Sequence, residues 1–126
     1  MIRLPAIIFS CTLLLASSSA FANWGSIAAG IDENDDGTSY VGTGVAWNYQ
    51  TQEEAEDVAM QNCESSGIQN CQIQSTWSGR GCGYVTWGSG LAGVRWGSGN
   101  TPQKALNNCS TGFISCQQPR GGCNSE

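Results

Sequence analysis

The chain has 126 residues with ten acids, five bases, seven cysteines and no histidine, for a formal net charge of −5. This length supports one domain. Without histidine the chain alone cannot build Ser-His, Cys-His or histidine-zinc sites, and its acidic balance argues against nucleic acid or a membrane surface as partner.

Residues 1–22 read as a secretory signal peptide. Arg3 supplies the positive start, Ala6 to Ala16 the apolar run, and Ala20-Phe21-Ala22 the small-x-small cleavage pattern. The apolar run is too short to favour a transmembrane anchor, so no membrane contact is expected after cleavage. Cys11 lies inside this leader, and Phe9 before it is too bulky for a lipoprotein signal. Cleavage after Ala22 leaves residues 23–126 with six cysteines and a net charge of −6, four bases against ten acids. An even cysteine set in an exported chain points to disulfides and to a secreted or periplasmic location.

The remaining chain reads as two similar halves, about 23–80 and 81–126. Trp24 to Ala29 is a strand, Asp35-Asp36-Gly37 a turn, and Tyr40 to Tyr49 a second strand. In that strand Gly42, Gly44 and Ala46 alternate against Val41, Thr43, Val45 and Trp47, and the glycines on one face suggest close packing or a bulge. Thr51-Gln52-Glu53-Glu54 forms a capping box, and Ala55, Val58, Ala59 and Cys63 recur at helical spacing as a buried stripe. Gly67 stops this helix, and Cys71 to Trp77 is a strand. The second half repeats the order. Gly83 to Trp87 and Ala92 to Trp96 are strands, Thr101-Pro102 starts a shorter helix, and Ala105 and Cys109 repeat the spacing of Ala59 and Cys63. The expected fold is α+β: two duplicated β-β-α-β-like units with antiparallel strands and two short helices, stapled by disulfides.

Six cysteines allow 15 connectivities, and the sequence alone does not choose among them. The repeat supplies a bias. Cys63 to Cys71 is a step of eight and Cys109 to Cys116 a step of seven, each after a matching helix. A helix-end cysteine lies near the strand that returns from it, which favours Cys63–Cys71 and Cys109–Cys116 and leaves Cys82–Cys123. No C-x-x-C spacing occurs, so redox and zinc-ribbon sites lack their usual pattern.

Trp24-Gly25-Ser26-Ile27-Ala28, the Glu54-Ala55…Ala59…Cys63 helix, Gly81-Cys82-Gly83 and Ala105…Cys109…Cys116 together resemble domain-of-unknown-function family 4189, small exported bacterial proteins. The resemblance covers nearly all of the chain after the leader. It implies a compact α+β domain with helix-to-strand disulfides in a bacterial secreted or periplasmic setting. It implies no reaction and no catalytic residues. The chain departs from the family pattern in its shorter second helix, in the acidic loop from Asp32 to Gly37, and at Gln117-Gln118-Pro119, which interrupts the strand expected after Cys116.

Four groups of residues could carry chemistry. Asp32, Asn34 and Asp36, followed by Gly37, match the first half of a calcium-loop pattern, but Thr43 stands where a bidentate Glu belongs. An acidic, solvated hairpin turn explains them better, and calcium held there would be weak and structural. Glu53, Glu54, Glu56 and Asp57 crowd the start of one helix, where the dipole favours negative charge. A glycosidase pair would need two acids across a cleft. Lys104, the lone lysine, is the sole basic partner a serine nucleophile could use. Of the five tryptophans, Trp24, Trp87 and Trp96 are the candidates to stack on a sugar or anchor a partner, against the plainer role of strand packing. The reading that emerges is an exported, non-enzymatic binding domain with no cofactor, whose partner is a basic protein it would inhibit or neutralise. A cell-wall or glycan-binding module using exposed tryptophan is the alternative, and a small carboxylate hydrolase using Glu54 or Glu56 comes third.

Overall fold

The computed structural model describes residues 23–125. The leader and Cys11 lie outside the described residues. Strands β1 (Trp24–Glu33) and β2 (Ser39–Tyr49) form a hairpin, helix α1 (Gln52–Glu64) follows, and β3 (Gln72–Ser78) returns to pair with β1. The second half runs β4 (Cys82–Gly90), β5 (Gly93–Gly99), helix α2 (Pro102–Cys109), β6 (Ile114–Cys116) and β7 (Arg120–Cys123). All pairings are antiparallel. The first sheet has the order β2-β1-β3 and the second β5-β4-β6, with β7 also on β4. The fold is therefore α+β, with a strand-strand-helix-strand order in each half.

Both helices start as the sequence suggests. The Thr51 hydroxyl accepts from the Glu54 N–H and the Thr101 hydroxyl from the Lys104 N–H, each at 3.1 Å. These bonds satisfy an amide that the helix start leaves unpaired. Gly67, at φ 92°, turns the chain after α1 in a conformation that favours glycine. Arg95 closes the short α2, donating to the carbonyls of Asn108 and Cys109 at 3.0 and 2.9 Å.

Glycine lets each helix lie directly on its sheet. A Cβ on Gly44 would sit 2.1 Å from the Ala59 carbonyl oxygen and 2.6 Å from the Cys63 nitrogen. One on Gly97 would meet the corresponding atoms of α2, 2.8 Å from the Ala105 oxygen and 2.4 Å from the Cys109 nitrogen. Beneath α1, a cluster of Ala28, Ala46, Ala59, Cys63, Ile68 and Cys71 is buried. The opposite sheet faces meet through Ile27, Val45 and Val85, with Trp77 and Trp96 packed at the edges. Alternation along the strands separates the two cores. The layers run helix, sheet, sheet, helix.

Gln117-Gln118-Pro119 interrupts the last strand without ending it. β6 pairs Cys116 with Gly88 and β7 resumes by pairing Arg120 with Val85, on the same side of β4. Three residues there face two on β4, which is a bulge, and a bulge tolerates proline because no ladder donor is needed. The first sheet shifts register at the equivalent place, where Ser75 pairs with Ile27 and Ile73 with Ala28, leaving Gln74 as the extra residue.

Three disulfides join Cys63–Cys71, Cys109–Cys116 and Cys82–Cys123. The first two tie a helix end to the strand beyond it. The third joins directly opposed residues of β4 and β7, with Cα atoms 3.9 Å apart.

Candidate functional site

An opening lies along the seam between the sheets. It is a cleft of about 400 Å³, bounded by Ile27, by Ser75 and Trp77 of β3, by Ser98 of β5, and by Asn100 and Lys104 at the start of α2. Lys104 is the one cationic residue in its lining, and no Asp or Glu lines it. Trp77 fills the space between strands β1 and β4. A Cβ on Gly25 or Gly83 would stand 2.2 Å from its ring. Its indole nitrogen is buried and has no hydrogen-bond partner. Such a donor is costly unless something accepts from it.

The acidic hairpin loop is organised by its own side chains. Asp36 accepts from the Thr38 hydroxyl at 2.7 Å and from its N–H at 3.0 Å, which together hold its carboxyl below the usual carboxylate range. Asn34 donates to the same hydroxyl, and Gly37 turns at φ 89°. Asp32 points its carboxylate elsewhere, accepting from the backbone N–H groups of Gln69 and Asn70 at 2.8 and 3.0 Å. Asp32 is thus engaged with the segment after α1, while Asn34 and Asp36 bond within the turn. No cluster of three or more Asp, Glu, Cys or His able to hold a metal ion occurs among the described residues.

On α1, Glu53, Glu54 and Asp57 are exposed. Glu56 is held by Gln52 and by the Thr76 hydroxyl, 3.1 and 2.8 Å away. Trp24, Trp87 and Trp96 are each half-buried. Trp87 pairs across strands with Trp96, which packs on the core between the sheets. The tryptophan with most exposure is Trp47, at 37 %.

A model of the family described as Domain of unknown function (DUF4189) matches residues 24–125. The chain belongs to the DUF4189 family. No curated protein and no solved structure matches it. The DUF4189 match spans both sheets, both helices and all three disulfides.

Sequence reasoning took Trp77 as one strand tryptophan among five and Lys104 as a helix-surface residue. The signal that distinguishes Trp77 is the set of glycines at 25, 81 and 83. All three lie against its ring, within 3.0 Å of where a Cβ would be.

Proposed function

We propose that this DUF4189 domain is an exported binding module whose acidic first half docks on a basic protein and neutralises it. Its role is binding rather than catalysis. One observation carries the reading: charge is segregated between the halves. Every acid except Glu126 precedes Arg80, whereas Arg95, Lys104 and Arg120 all follow it. The acids are spread from the hairpin tip through α1 to Glu64, and nearly all face solvent. A field of one sign over half the molecule steers an oppositely charged partner and accelerates its encounter. Three disulfides in a domain of this size fit an oxidising compartment, periplasmic or extracellular. No helix among the described residues is long and apolar enough to cross a membrane.

The test is capture from an envelope extract at low salt, with the bound protein identified by mass and its affinity then measured with purified components. The expected partner is basic, binds more weakly as salt rises, and is lost when Glu53, Glu54 and Asp57 are all changed to Gln. A partner that binds the triple variant as well as the native protein, or no partner at low salt, refutes the proposal.

A further inference from the structure

The two halves correspond in register, and the correspondence shows why the seam cleft exists. Gly44 and Gly97 meet the same backbone atoms of their helices. Counting along β2 and β5 from these glycines sets Val45 against Ser98 and Trp47 against Asn100. On the helices Ala59 and Cys63 correspond to Ala105 and Cys109, which sets Val58 against Lys104. On the third strands, Gly25 pairs with Trp77 and Gly83 pairs with Gly122, so Trp77 and Gly122 correspond.

In one corner of the molecule the large side chain of Trp47 lies over Gly122, whose Cβ would stand 2.6 Å from the ring. In the corresponding corner the sizes are exchanged, Asn100 standing for Trp47 and Trp77 for Gly122, and the cleft opens between them. Around it Ser98 and Lys104 stand where the first half has Val45 and Val58. The opening therefore combines size, hydroxyl and amide groups and a cation beside an indole ring.

We propose that this cleft binds a sugar acid, a hydroxyl-bearing ring with one carboxylate. The ammonium of Lys104 suits a carboxylate. Ser75, Ser98 and Asn100 suit ring hydroxyls, and the apolar surface of Trp77 suits the C–H face of the ring. A volume near 400 Å³ holds one such ring with its water. The carboxylate of Glu56 does not oppose this. It bonds Thr76, the β3 residue next to Trp77, whose side chain alternates to the α1 face of the sheet. The site draws residues from both halves, and none of the acids proposed to meet a basic partner lines it.

The experiment titrates glucuronate into the purified, disulfide-bonded protein, with glucose as the neutral control, and follows the indole N–H resonances by NMR. Glucuronate shifts the Trp77 resonance, and glucose binds at least about fivefold more weakly. Lys104→Ala weakens glucuronate about fivefold, and Asn100→Trp, which fills the corner as Trp47 does its own, abolishes the shift. Silence of the Trp77 resonance up to about 10 mM glucuronate, equal binding of glucose, or undiminished binding by Lys104→Ala overturns the proposal. The lysine variant lies on a helix surface and decides the question even where Asn100→Trp fails to fold.

Discussion

Asp36 is a fully exposed acid with a structural task. The Thr38 hydroxyl, then the Thr38 N–H, favour its charged form and lower its pKa. A carboxyl depressed on folding stabilises the fold above its unfolded pKa of about 3.9, and that contribution disappears as pH falls through the folded value. The hairpin turn should therefore stay ordered at pH 4 and loosen below it. Thr38→Val should raise the Asp36 midpoint towards the ordinary value, as read by NMR titration of the carboxyl. A midpoint unmoved by Thr38→Val would show that the hydroxyl does not set it. Asp32 also serves the fold, satisfying two backbone donors of the segment after α1. The calcium-like spacing of Asp32, Asn34 and Asp36 was legible in sequence, but which residues would use those oxygens was not. The Gln69 and Asn70 partners of Asp32 lie far along the chain, and no local pattern announces them.

At the level of elements, the tight helix-on-sheet packing depends on glycine having no side chain. Gly44→Ala and Gly97→Ala should each destabilise the protein by about 3 kcal/mol, measured by urea unfolding, because the new methyl meets helix backbone that cannot rotate away. Gly112→Ala, which meets no atom within 4 Å, is the matched control and should change stability little. If all three behave alike, the helices do not rest on those glycines. Much of this layer was readable beforehand. The alternation of Gly42, Gly44 and Ala46 located the packing face, the threonine caps located both helix starts, and the paired cysteine steps marked the returns from each helix. The sequence could not show that Gln117-Gln118-Pro119 is a bulge. A proline there reads locally as a strand end, and only the resumed pairing of Arg120 with Val85 shows that the strand continues. The cleft was hidden for a similar reason, because it arises from a comparison between halves that no single motif contains.

For the whole molecule, the three disulfides should contribute unequally. Cross-linking restricts the unfolded chain more when the closed loop is longer. With separations of 8 and 7, replacing either Cys63–Cys71 or Cys109–Cys116 by serines should cost about 2.5 kcal/mol. Replacing Cys82–Cys123, with a separation of 41, should cost about 4 kcal/mol. Denaturant midpoints of the three double variants test this ranking, and equal losses would mean that native-state packing outweighs chain entropy. The charge division between the halves is also a property of the whole. Composition gave a net charge, whereas the two-sheet architecture turns that charge into a molecule with an acidic and a mildly basic side.

The sheet of the first half is closed by residues from opposite ends of the described chain. Asn48, at φ 68°, donates its N–H to the Asn124 side chain at 2.7 Å and accepts from the Ser125 N–H at 2.7 Å. The Asn124 amide in turn donates to the Asn23 carbonyl at 3.1 Å, across a separation of 101 residues. A chain threaded amino end first therefore exposes Asn23 long before its partner emerges. Both hairpins and both helices lie within residues 24–109 and precede Asn124 in the chain, so the asparagine latch needs the last residues to be made. Until Asn124 and Ser125 are present, neither Asn48 nor Asn23 can make these bonds.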